Sequence, residues 1–187
     1  AFAVQRYRFF GRDAISFLVV IPIALPGIVT GMALNATFSQ GPVLGGVPFG
    51  LFTIIVGHAT FCMVLVFNNV VARLRRTSRN LEEASLDLGA DPWQTFRFVT
   101  FPAVRTALLA GALLAFALSF DEVIVTTFTV GDDLTLPIWI LRNYSRPNQG
   151  PIVNAVGVIA ILLSIIPVYL AQRLTGSDSV RESTLAR

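Results

Sequence analysis

Between Asp13 and Arg73 the chain carries no Asp, Glu, Lys or Arg. A soluble domain cannot keep so long an uncharged stretch hydrated, whereas a chain that crosses a bilayer requires one. Across all 187 residues hydrophobic types make up 54% and charged types only 13%, which points the same way. The formal charge of +3 is therefore read by its distribution, and it is no signature of nucleic-acid binding. Cys62 is the single cysteine, lies in an apolar run and can form no disulfide within the chain.

Four apolar runs, at about 14–38, 49–71, 103–130 and 152–172, are each long enough for a hydrocarbon core of roughly 30 Å, which takes about 20 helical residues. Pro22, Pro26 and Gly27 interrupt the first, and a kinked span is predicted there. Gly41, Pro42, Gly45, Gly46 and Pro48 then close a hairpin. In the second run His58 has no second histidine to relay a proton, so it reads chiefly as a group bonded inside the bundle. The third run would reach about 42 Å as one helix and must tilt, protrude or break. Asp121 and Glu122 fall inside it, about 28 Å past Pro102, in the outer third of the membrane or at its outer face. An intramembrane carboxylate is costly unless it meets water or a partner, so the pair are candidates for the substrate path. The alternative is that they mark the interface or pair with Arg142 or Arg146. Residues 134–144, with Pro137 and Trp139, suit a short interfacial helix. The fourth run is expected to kink at Pro167, and the polar tail from Arg173 to be mobile.

All fourteen basic residues are arginine. Four spans put Arg6, Arg8, Arg12, Arg73, Arg75, Arg76, Arg79, Arg97, Arg105, Arg173, Arg181 and Arg187 on one side, leaving only Arg142 and Arg146 opposite. Cytoplasmic loops carry the excess of positive charge, so the segment at 73–102 is expected in the cytoplasm.

That segment is mixed in charge and holds two helix starts. Asn80 with Glu83 reads as a capping box, Gly89 as a left-handed helix stop, and Asp91, Pro92 and Gln94 as a second start. Two short helices meeting at Gly89 and Ala90 are predicted. Leu81, Ala84, Leu88 and Trp93 would be their apolar contacts, fitting either a groove on a soluble partner or the membrane surface.

Glu83, Ala84, Ser85, Gly89, Val99, Phe101 and Pro102 resemble, with spacing intact, the EAA loop of permease subunits of bacterial ABC importers. Ser85 stands for the second alanine, Val99 for isoleucine and Phe101 for leucine. The similarity runs from Ala1 to about Leu174. Arg6 to Arg12 and Ser119 to Phe128 look most like the spermidine and putrescine branch.

The resemblance implies an all-α membrane protein, a polytopic helical bundle of the type I kind. Four spans are present of an expected six, with the first two lacking from this sequence. It implies a location in the bacterial inner membrane. Expected partners are an ABC ATPase dimer, a second permease subunit, an external substrate-binding protein and the bilayer. Glu82, Glu83, Ala84, Ser85, Gly89, Ala90 and Pro102 would form the ATPase-coupling loop, with Glu83 at the docking surface and Gly89 at the bend. Neither cofactor nor metal is implied, and ATP hydrolysis would belong to the partner. Consistently, the chain holds no Walker-type glycine loop, metal-ligand spacing or nucleophile beside a histidine. Iron(III), thiamine, sulfate and phosphonate importers share this loop and are alternative substrate classes. A secondary transporter would need ionisable or broken-helix sites within the spans, which Pro22 and Pro26 suggest only weakly. A scaffold without transport activity would not need the loop spacing.

Overall fold

The structure is a computed structural model that describes the backbone of residues 1–185 and side chains as far as Tyr169. A short helix α1 (Phe2–Arg6) leads into α2 (Arg12–Ala24) and α3 (Gly27–Gln40). Helix α4 (Leu51–Arg76) ends at α5 (Asn80–Asp87) and α6 (Pro92–Thr95). A π-helical turn (Phe96–Thr100) joins α6 to α7 (Phe101–Phe120), followed by α8 (Ile124–Thr129), α9 (Leu136–Tyr144) and α10 (Gly150–Leu185). No strand occurs among the described residues.

Three helical stretches are long and apolar enough to cross a membrane: Leu51–Arg76, Pro92–Phe120 and Gly150–Tyr169. A fourth crossing arises only if α2 and α3 are taken together, and these meet at 108°. The kink expected within 14–38 is therefore a full break. Pro26 excludes the helical conformation from Leu25, which is extended at φ −84° and ψ 141°, and Pro26 itself has ψ 133°. Pro22, by contrast, is absorbed inside α2.

The run at 103–130 also departs from a single span. Helix α7 stops at Phe120, and α8 starts afresh at Ile124. Neither proline nor glycine causes this break. Its polar side chains compete for the backbone instead: Glu122 Oε1 accepts from the Val125 N–H at 2.9 Å, and Thr126 Oγ1 donates to the Glu122 carbonyl at 2.7 Å. At the other end the helix begins earlier than expected, because α6, the π turn and α7 form one continuous rod. The backbone is helical from Gly150 through Pro167 and past Arg173 to Leu185. Propagation adds one hydrogen bond per residue, and no further proline follows to stop it. The last two residues of the expected tail, 186 and 187, lie outside the described residues.

Helices α4 and α7 form the antiparallel centre. Going up α4 and down α7, His58 meets Ser119, Cys62 Sγ lies 3.4 Å from the Ala115 carbonyl, Val66 meets Gly111, and Arg73 Nε donates to the Ala103 carbonyl at 2.9 Å. Gly111 allows that approach: a Cβ there would stand 2.8 Å from the Val66 Cα. Helix α8 packs on α3 and α4, where Gly31 accepts the Phe128 ring and Gly57 accepts Val125. Helix α10 lies along α7 and α9. The buried core is small, with Phe38, Val64, Leu74, Val125, Val130 and Ile138 almost wholly enclosed. Phe17, Leu18, Leu51, Ile159, Ile161 and Leu162 point outward, as side chains facing lipid or another subunit do.

Candidate functional site

The elbow between α4 and the long rod is built by three local devices. Helix α5 ends in a complete Schellman motif. Gly89 adopts φ +86°, its N–H bonds the Leu86 carbonyl at 2.9 Å, and the Ala90 N–H reaches back to Ser85 at 3.1 Å. Helix α6 then starts with a reciprocal capping box. The Gln94 N–H donates to Asp91 Oδ1 at 2.8 Å, and the Asp91 N–H donates to Gln94 Oε1 at 3.0 Å. Ser85 Oγ and Thr95 Oγ1, 3.1 Å apart, fasten the two arms. The serine that stands for the alanine of the EAA pattern thus adds a tie across the bend.

The capping box expected at Asn80 and Glu83 is absent. Helix α5 is already helical at Asn80, whose N–H donates to Ser78 Oγ at 3.2 Å in place of Glu83, while the Glu83 N–H that Asn80 was expected to hold bonds the Arg79 carbonyl at 3.1 Å. Glu83 is left exposed with Ala84 and Gly89. Leu81, Leu88 (89% exposed) and Trp93 (66%) are also exposed, and Trp93 stacks on Phe96 at 5.8 Å.

Glu82 behaves differently from its neighbour. Its Oε1 accepts from Arg6 Nε at 3.0 Å and lies 2.9 Å from Arg6 Nη2, with both side chains mostly buried. Arg6 Nη2 also donates to the Thr77 carbonyl at 3.2 Å, and Arg79 Nη2 donates to the Arg6 carbonyl at 2.6 Å. The sequence places Arg6 only among the arginines of the expected cytoplasmic side, because nothing local ties it to a residue 76 positions away.

Pro102 stands apart from the elbow surface. It has no N–H to donate to the fourth residue back, and its ring crowds that carbonyl. The π turn just before it accommodates both effects, with the Phe101 N–H bonding the Phe96 carbonyl, five residues back. Of the expected coupling residues, the fold gathers Glu82 through Ala90 and leaves Pro102 inside the rod.

At the far end of the rod, Asp121 and Glu122 lie in the break between α7 and α8. They border a cleft of about 600 Å³ with Ile23, Leu65, Leu114, Ala117 and Leu118. Asp121 is exposed and also borders a second cleft of about 510 Å³ against α9 and α10. Glu122 is half-buried and held by the Val125 N–H. Neither carboxylate pairs with Arg142 or Arg146; Arg146 Nη1 donates to Asn143 Oδ1 at 3.2 Å.

The break is braced by side chains that sequence reasoning largely missed. His58 Nδ1 lies 2.7 Å from Ser119 Oγ, and Nε2 lies 2.7 Å from Thr126 Oγ1. The single hydroxyl proton of Thr126 already goes to the Glu122 carbonyl, so His58 Nε2 carries a hydrogen and donates. Asn35 Nδ2 donates to the Phe128 carbonyl at 2.7 Å, and Thr53 Oγ1 lies 2.6 Å from the Thr129 carbonyl. Irregular backbone at membrane depth persists where such partners satisfy it. The one available signal was the run of threonines at 126, 127 and 129.

The sequence matches, over residues 1–177, the family described as "Binding-protein-dependent transport system inner membrane component". The putrescine transport system permease protein PotI of Escherichia coli K12 is 32% identical over 172 residues, covering 89% of this chain and 61% of PotI. The spermidine/putrescine permease protein PotC of Haemophilus influenzae is 34% identical over 181 residues, covering 96% of this chain and 68% of PotC. PotC of Escherichia coli K12 is 33% identical over 186 residues, covering 98% and 68%. The chain thus spans less than two thirds of the PotI length. With an all-helical fold, apolar crossings and this match along nearly its whole length, the chain belongs to the family of inner-membrane components of binding-protein-dependent transport systems.

Proposed function

We propose that this chain forms part of the substrate path of an ATP-driven importer and couples that path to a separate ATPase through the elbow at 80–95. The carrying observation is the continuous helix Pro92–Phe120, 29 residues or roughly 44 Å at 1.5 Å per residue. A force on the elbow acts directly on the rod that ends beside Asp121 and Glu122. The arginine excess supports a cytoplasmic elbow, and exposed Glu83, Leu81, Leu88 and Trp93 offer a charged and apolar face to an ATPase cleft. ATP is hydrolysed by that partner dimer. A second permease subunit completes the path, and an external binding protein delivers the solute.

Polyamines are the proposed cargo. The named relatives belong to putrescine and spermidine/putrescine systems, and two carboxylates in a largely apolar cleft suit an alkyl chain bearing ammonium groups. The test uses the full-length protein co-expressed with its ATPase and reconstituted with the binding protein. Gly89→Val and Glu83→Lys should abolish ATPase co-purification, and Asp121→Asn with Glu122→Gln should cut labelled spermidine uptake by tenfold or more while assembly persists. Undiminished co-purification would sink the coupling reading, and unchanged uptake the acidic path.

A further inference from the structure

We propose that Arg6 and Glu82 form an internal strut that makes α1 move with the elbow, so that of the two adjacent glutamates only Glu83 faces a partner. The proposal rests on the coupling role given above to the elbow.

The geometry separates the two acids cleanly. Glu83 is exposed, whereas Glu82 is turned inward, its carboxylate engaged by both Nε and Nη2 of an arginine side chain that is itself 5% exposed. Two further bonds cross the same junction: Arg6 to the Thr77 carbonyl, and Arg79 to the Arg6 carbonyl. The end of α1, the end of α4 and the start of α5 are thus joined at one point. An apolar contact reinforces it from the rod, where Phe2 meets Phe96 edge-on at 6.2 Å. A partner that displaces α5 must carry α1 along or break a mostly buried ion pair, and removing one member of such a pair is strongly unfavourable. Arg6 and Glu82 are positioning residues, acting through the elbow rather than on the solute.

The test compares Arg6→Glu, Glu82→Arg, Glu82→Gln and the exchange Arg6→Glu/Glu82→Arg in the full-length protein with its ATPase, in proteoliposomes. Bound ATPase, ATP hydrolysis and uptake of labelled spermidine are measured together. Each charge reversal is expected to keep the ATPase bound and hydrolysing while uptake per ATP falls about tenfold or more. Glu82→Gln retains an acceptor for Arg6 and is expected to lose less, about threefold, and the exchange to recover part of the loss. Uptake per ATP unchanged in both reversals overturns the strut. Release of the ATPase by Glu82→Arg also overturns it, because Glu82 would then belong to the docking face. A failure of the docking reading itself shows separately, as Gly89→Val retaining its ATPase.

Discussion

Gly111 and Gly89 need to be glycine for opposite reasons, and the difference decides what substitution does. At Gly111 the backbone is ordinary helix, but an added Cβ meets the Val66 backbone at 2.8 Å, which no rotamer can relieve. Overpacking costs roughly 1–3 kcal/mol, against about 1 kcal/mol gained in helix propensity. Gly111→Ala is therefore expected to lower the melting midpoint of the detergent-solubilised protein. Gly157→Ala, with open space around it, should leave the midpoint unchanged or raise it. Gly89 has nothing within 4 Å but sits at φ +86°, so alanine there costs about 1 kcal/mol through the backbone alone. Asparagine tolerates that conformation better, so Gly89→Asn should keep more ATPase bound than Gly89→Ala in the co-purification assay. His58 is a third kind of residue, with both nitrogens engaged across the break. His58→Phe forfeits both bonds and should destabilise by roughly 1–2 kcal/mol, seen as a lower midpoint and as faster exchange of α8 amides.

Among elements, the rod from Pro92 to Phe120 shows how a local defect sets a long-range angle. A π turn adds one residue to the helical repeat, so regularising it would turn the elbow by about 100° relative to α7. Pro102→Ala removes the steric reason for the turn. The expected result is an unchanged or raised melting midpoint together with reduced uptake per ATP. A loss of both would mean that the proline serves packing rather than geometry. Helix α5 makes the complementary point. At eight residues it is too short to be stable alone, and it holds its shape through Gly89 and the Ser85 to Thr95 contact, while Arg6 ties it to α1.

For the whole molecule, the arginine distribution predicts sidedness, which thiol labelling can check. In a Cys62→Ser background, a cysteine at Leu88 should react with a membrane-impermeant reagent only from the cytoplasmic side of oriented vesicles, and one at Tyr144 only from the opposite side. The reverse pattern would remove the elbow from reach of any cytoplasmic ATPase. Membrane residence, the helical class and the elbow were legible along the chain because each depends on neighbouring residues: hydropathy over about 20 positions, a proline after a cap, a glycine at a stop. The Asp91 to Gln94 box and the left-handed Gly89 stand where that local chemistry puts them. Local reading failed where partners lie far apart in sequence. It placed Glu82 with Glu83 in the coupling loop, although a guanidinium 76 residues away turns the first inward. It left 103–130 to tilt, protrude or break, and the break is decided by His58 and Thr53 from α4 and Asn35 from α3, which hold α8 in place. Hydropathy, the Asp91 to Gln94 box and the Gly89 stop depend on adjacent residues and were set by the sequence by itself, whereas the start of α5 was not. Which buried polar groups find one another is a property of packed helices, and only the tertiary structure decided it.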